Sequence, residues 1–379
     1  MSFDPHSNEW LLNRFDIYKD LRTRDTAYWC EKYQLHVITR YDDVLFALNN
    51  PKVFSSAQGN LLIETGERKG KTLGASDNPL HKDYKDIVIN AYSKDNIERV
   101  AKVFREKTVE HFENKTELNV SEITESISTW MAAEIMNPPV EKQVIYDLLL
   151  NTHRYHSSNV VENFDPDFDK KFQIDMVYNL IKKRRYPLGP GVYHEYLYNN
   201  PKYLDAVSLV FGNMISGLGS LTAALQYLTL DLYFEKQLDA LMKDRSLIPA
   251  AIEESLRFRS GAGRFYRTVL EDITMHGVNL KQGDRVALSL ESANRDSSKF
   301  DNTDRFIMSR KETKHLAWGH GVHACIAMVV SKEMMQIYLN LLLDMIGKYE
   351  ILTKPSELKY MLITGGNINI MSNIMLRKL

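Results

Sequence analysis

The chain has 379 residues and a formal net charge of -1, with 44% hydrophobic and 26% charged residues. That composition suits a globular protein with a large core and excludes both a basic nucleic-acid binder and an acidic disordered module. Cys30 and Cys325 are too few for a disulfide framework, and the N-terminus shows neither a signal peptide nor an apolar span, so a soluble cytoplasmic protein without a membrane anchor is expected.

In chain order, Trp10 to Arg22 reads as a helix, Ala27 to Thr39 as a hairpin and Asp42 to Asn49 as a second helix. The hairpin rests on Tyr28, Trp29, Tyr33, Leu35, Val37 and Ile38 around a polar turn at Glu31-Lys32. Helical periodicity dominates from about residue 84 to 260. Short strands return at Thr274–Leu280, Asp284–Leu290 and in the C-terminal tail, where Thr364-Gly365-Gly366-Asn367 reads as a turn. No repeat or linker divides the chain. The expected fold class is mainly α with a minor β lobe, one domain over 1–379. Its helix-rich body covers about 84–260 and 326–347, and its β-rich lobe draws on about 27–39, 274–290 and 360–379.

Asp205 to Tyr233 is the longest uninterrupted helical run, about 40 Å at 1.5 Å per residue. Its apolar residues wrap most of the circumference, which predicts burial. Gly217 and Gly219 lie in its middle, each costing about 1 kcal/mol relative to Ala; close helix contact or a function must compensate. Pro249 to Arg257 begins a helix with proline in its first turn and places Glu254 and Arg257 one turn apart.

Trp318 to Ala327 organises the rest. Gly319 and Gly321 permit positive φ and a close backbone approach, and the loop delivers Cys325 to the first turn of an apolar helix from Met328 to Ile346, capped by Gly347. A helix N-terminus favours thiolate over thiol. Two other readings stand beside a reactive thiol: a small buried hydrophobe, or a zinc site drawn from His315, His320, His323 and Cys325.

This loop resembles the heme-ligand segment of the cytochrome P450 family, Phe-Gly-x-Gly-x-His/Arg-x-Cys-x-Gly, with Trp318 at the Phe position and Ala327 at the last Gly. The resemblance implies heme b (iron protoporphyrin IX), bound between the long central helix and the cysteine loop. Cys325 would be the iron ligand and His323 a propionate partner. It extends to Ser76–Lys85, similar to the family's Asp-Pro-Pro-x-His-x-x-x-Arg, which implies propionate roles for His81 and for Lys85, standing where the family has arginine. The loop from about Ala57 to Leu73 would close over substrate.

Around Gly217 the family's Ala/Gly-Gly-x-Asp/Glu-Thr-Thr motif is matched with Ser216 as the small residue, Gly219 in the acid's place and Ser220 in the threonine's. The missing acid implies proton delivery through Ser220 and ordered water, or assistance from a polar group of the substrate. Arg267 matches the propionate arginine, with Gly261 to Tyr266 beside the heme edge. Ala293-Asn294-Arg295-Asp296 also recurs in the family. Arg257 precedes Cys325 by 68 residues, as in the family's buried Glu-x-x-Arg pair, and Phe306 to Arg310 supplies the third partner; Glu254, Arg257 and Arg310 would support the heme loop.

The implied activity is monooxygenation of a small hydrophobic organic substrate by a soluble monomer, similar to short, thermophilic archaeal and bacterial members. Electrons would come from a ferredoxin-like donor and its reductase, met by a weakly basic face at Lys311, Lys314 and Lys332. A peroxide-using heme enzyme and a non-catalytic heme or ligand binder remain alternatives.

Overall fold

The structure is a computed structural model and describes residues 3–24, 27–62, 64, 69–137, 141–158, 203–363 and 367–379. Ser7 accepts a hydrogen bond from the Trp10 N–H and so caps α1 (Asn8–Thr23). The expected hairpin follows as β1 (Ala27–Cys30) and β2 (Leu35–Ile38), antiparallel with Ala27 opposite Ile38. Next come α2 (Tyr41–Asn49), β3 (Phe54–Ser55), α3 (Leu80–Val88) and α4 (Lys94–Phe112). A short β4 (Glu117–Asn119) interrupts the expected helical body before α5 (Val120–Ile135) and α6 (Lys142–Ser158).

The central helix α7 runs Tyr203–Phe234, 32 residues, followed by α8 (Leu238–Lys243) and α9 (Ile248–Phe258). From Leu218 to Leu232 its apolar side chains are buried around the whole circumference, among them Leu221, Leu225 and Leu228. Its buried hydroxyls return to their own helix: Thr222 Oγ1 donates to the Leu218 carbonyl and Thr229 Oγ1 to that of Leu225. The helix α5 lies along α7, α4 packs on α5, and these helices share one apolar cluster.

The sheet lobe continues with β5 (Phe265–Val269), β6 (Ile273–Met275), β7 (Val278–Leu280) and β8 (Arg285–Leu288). The expected strand Thr274–Leu280 is a tight hairpin instead. His276 and Gly277 both take positive φ, 46° and 89°, the backbone of a two-residue turn that matches strand twist. The expected strand Asp284–Leu290 ends at Leu288, and Leu290 opens the short helix α10 (Leu290–Ala293). The main sheet has the order β1-β2-β8-β5-β3, with β2 and β8 parallel.

Beyond the cysteine loop, α11 (Met328–Leu341) continues as a π-helical turn over Leu342–Ile346 and stops at Gly347, φ 73°. The strands β9 (Tyr349–Ile351), β10 (Lys359–Ile363), β11 (Ile368–Ser372) and β12 (Met375–Lys378) close the chain. β12 pairs with both β4 and β9. The Thr364–Gly366 turn, most of the His153–Tyr198 region and the side chains of the first turns of α7 lie outside the described residues.

Candidate cofactor and metal site

The cysteine loop is shaped by backbone bonds. The Gly319 N–H donates to the Leu316 carbonyl at 2.9 Å, the Ala324 N–H to that of Gly321 at 3.1 Å, and the Cys325 N–H to that of Trp318 at 2.8 Å. Gly319 and Gly321 stand at φ 65° and 68°. A Cβ on Gly321 would lie 2.7 Å from the Leu48 carbonyl oxygen, so both conformation and space require glycine. The first helical residue is Met328 and its N-cap Ala327. The thiol therefore sits two residues ahead of the cap, not in the first turn. Cys325 is solvent-accessible, yet protein crowding pushes its pKa up, opposed by a bond from the Ala327 N–H.

Beside the loop four basic groups converge. His81, buried on α3, meets the His323 ring edge to face with centroids 4.3 Å apart. Arg267 is buried on β5, not an exposed strand charge, and its guanidinium donates to the neighbouring Tyr266 carbonyl at 2.7 Å. Burial drives the His323 pKa down to about 2, reinforced by Arg267, His81 and Lys85. Burial likewise lowers Arg267 to about 10 against the pull of Asp77. His81 is lowered by burial and by Lys85. Lys85 is half-buried.

Asp77 holds the Ser55 hydroxyl and the Ser56 N–H, and no described carboxylate comes within ion-pair distance of Arg267, His81, Lys85 or His323. The buried His323 Nε2 and Trp318 Nε1 have no partner among the described residues. A cluster of basic donors around one buried guanidinium calls for an anion, and the two carboxylates of heme fit it.

On α7, a Cβ at Gly217 would meet only Met131 Cε among the described residues, at 3.8 Å; close packing of the described helices does not explain this glycine. Gly219 is buried. The Ser220 hydroxyl donates to the Ser216 carbonyl at 2.9 Å. A Cβ on Gly261 would lie 2.7 Å from the Ser220 carbonyl oxygen, so the chain leaving α9 presses on α7 at this level.

Glu254, Arg257 and Arg310 form one buried cluster. Arg257 donates to both Glu254 oxygens, Nε at 2.9 Å and Nη2 at 2.8 Å; Arg310 Nε adds 3.0 Å and the Ile307 N–H 2.8 Å. Burial opposes charge on Glu254, yet Arg257 and Arg310 hold its pKa below the usual range. Arg257 also donates to the carbonyls of Asn294, Thr303 and Arg305, pinning the segment that leads to the loop.

The Ala293–Asp296 stretch has a mechanical role the sequence does not disclose. Asn294 Oδ1 accepts from the Leu316 N–H at 2.6 Å, its Nδ2 donates to Ser260, and Asp296 accepts from the Tyr41 N–H at the start of α2.

The histidines near Cys325 diverge. His315 bonds Glu253 at 3.0 Å, His320 bonds Asn49 at 2.7 Å, and His323 faces His81. No group of three metal-binding side chains assembles among the described residues, and the zinc reading has no geometry behind it. Lys332 pairs with Glu253 at 2.6 Å and is not a free cation of a docking face; Lys311 and Lys314 are exposed.

A protein-family model, Cytochrome P450, matches residues 237–357. The chain is 26% identical to "Cytochrome P450 109" of Bacillus spizizenii, over 90% of this chain and 86% of that protein. It is 23% identical to "Linalool 8-monooxygenase" of Pseudomonas putida, over 94% of each. The solved structure of P450BioI, in complex with acyl carrier protein ligated to hexadec-9Z-enoic acid, superposes with a TM-score of 0.84 at 20% identity, covering 98% of this chain and all (100%) of that one. The chain is similar to the cytochrome P450s and is a monooxygenase of that kind, with iron protoporphyrin IX as cofactor. These two relatives are bacterial. No helix among the described residues is long and apolar enough to cross a membrane.

Proposed function

We propose that Cys325 is the iron ligand of a monooxygenase acting on a small hydrophobic organic substrate, and that His81, Lys85, Arg267 and His323 hold the heme carboxylates. The observation that carries this reading is the convergence of those four basic groups, without a described anion, beside the Cys325 loop. Heme, when bound, supplies the iron at which dioxygen is activated, and a thiolate ligand favours O–O cleavage. The Ala327 N–H, which opposes the rise in the Cys325 pKa, would stabilise the thiolate that an iron ligand requires. Trp318, Gly319, Gly321 and Ala327 would lie against the cofactor; Glu254, Arg257 and Arg310 hold the segment leading to that loop in place.

Gly217, Gly219 and Ser220 face the opposite side in this reading. Ser220 orients a water-borne proton through its hydroxyl, because Gly219 offers no acid. Reducing equivalents come from a separate ferredoxin-type carrier and its reductase, since Cys30 and Cys325 alone cannot hold a four-cysteine iron–sulfur cluster. The protein works as one cytoplasmic, monomeric domain. Arg14 of α1 paired with Glu291, and β12 paired with β4, support the single domain.

The test is the absorbance spectrum of the dithionite-reduced protein under carbon monoxide. The expected result is the strongly red-shifted Soret band of thiolate ligation, lost in Cys325→Ala. Heme bound without that band overturns the ligand assignment.

A second reading, peroxide-driven oxidation, is favoured by Gly219 in the acid's place and by the Ser220 hydroxyl being spent on its own helix. Turnover with hydrogen peroxide and none with reduced ferredoxin would replace the first reading by this one.

A further inference from the structure

Glu253 sits beside Glu254 on α9 but serves different partners. Its Oε2 is 3.0 Å from His315 Nε2 and its Oε1 is 2.6 Å from the Lys332 ammonium. The Ala317 N–H donates to His315 Nδ1 at 3.2 Å. A ring nitrogen that accepts carries no proton, so the imidazole proton lies on Nε2 and is donated to Glu253. One carboxylate thus ties α9 to the start of the cysteine loop and to α11. The Lys332 ammonium stands 5.8 Å from the Trp318 ring centroid, and the Trp318 carbonyl accepts the Cys325 N–H at 2.8 Å.

The electrostatics agree with the geometry. Burial works against charge on Glu253, yet the His315 and Lys332 bonds hold its pKa below the ordinary carboxylate value. The His315 side chain is 2% exposed, while Glu253 and Lys332 are 27% and 33% exposed. Solvent therefore screens the ion pair in part, and losing one partner shifts the local field without unfolding the site.

We propose that Glu253 is a positioning residue for the Cys325 loop, and that the Glu253–Lys332 pair sets the charge felt at the proximal ligand across Trp318. The proposal rests on the reading of Cys325 as the iron ligand. Neutralising Glu253 leaves an unopposed cation beside Trp318, which favours the reduced, electron-richer site; neutralising Lys332 leaves an unopposed anion and does the reverse.

The experiment is potentiometric titration of the heme-loaded full chain as parent, Glu253→Gln, Lys332→Gln and the double variant, each also examined by its reduced carbon monoxide spectrum. The expected result is a midpoint shifted upward in Glu253→Gln, downward in Lys332→Gln, and close to parent in the double variant. Should Glu253→Gln fail to fold, the half-exposed Lys332→Gln carries the test by itself. Singles that keep the thiolate band and the parent midpoint, or that shift in the same direction, overturn the proposal. A parent without the thiolate band overturns both it and the ligand assignment, which separates the two failures.

Discussion

His81 and His323 face each other edge to face with ring centroids 4.3 Å apart, and neither ring has an acidic partner among the described residues. Two imidazoles in such proximity, with Arg267 and Lys85 adding positive charge, are stable only in the neutral form. In the unfolded chain each histidine has its ordinary pKa near 6.5; in the fold both are depressed, His323 to about 2. The unfolded state therefore binds more protons below pH 6.5, and stability falls as pH falls through that value. The slope reaches up to about 1.4 kcal/mol per pH unit for each histidine. Chemical denaturation of the heme-free protein between pH 7 and 5 is expected to show this loss, and His323→Asn to show a shallower one. Heme loading should flatten the slope, because the heme carboxylates counter the incoming charge. Equal slopes in all three samples would contradict the assignment.

Two glycines give opposite expectations. Gly321→Ala meets positive φ and the Leu48 carbonyl at 2.7 Å, and should cost roughly 2 kcal/mol or more together with heme retention. Gly217→Ala meets only Met131 Cε among the described residues, at 3.8 Å, and should stabilise α7 by up to about 1 kcal/mol. Thermal unfolding of the two variants decides; a destabilised Gly217→Ala would mean that the helix needs this glycine for shape.

Glu254→Ala leaves Arg257, 1% exposed, and Arg310, 6% exposed, without their carboxylate. Breaking a buried network in this way costs about 3–5 kcal/mol. The expected outcome is poor heme incorporation and a depressed Tm. Glu254→Gln, which keeps the shape and drops the charge, should fall between parent and Glu254→Ala.

Ser220→Ala removes the hydroxyl opposite the proposed ligand and leaves Gly219 as it is. It should raise peroxide release per electron consumed more than it weakens substrate binding. Oxygen and peroxide balances of parent and variant give the answer, and unchanged coupling would sink the role assigned to Ser220.

The cysteine loop was legible because its information is local: two glycines, one thiol and an apolar helix within a few residues. The central helix was legible from its unbroken apolar surface. What escaped was built from distant segments. Nothing near Glu253 in sequence announces His315 or Lys332 as its partners, and Lys332 looked like a free surface cation until the pair with Glu253 was seen. Arg267 could be matched to a motif, but its burial without a counter-charge depends on α3 and the cysteine loop meeting at β5. The split of Thr274–Leu280 at His276-Gly277 was missed for a different reason: a histidine at positive φ is not a strong turn signal.

β4, at Glu117–Asn119, has β12 at Met375–Lys378 as its partner, and β12 in turn lies between β4 and β9. β4 thus waits for a strand made much later in the chain before its edge is covered. The helices α4 and α5 can collapse early, but the seam that joins them to β12 closes only once residues 375–378 have been made. Stop codons or bulky fusions near residue 375 should therefore act as folding defects of the whole molecule, although they lie far in sequence from Cys325.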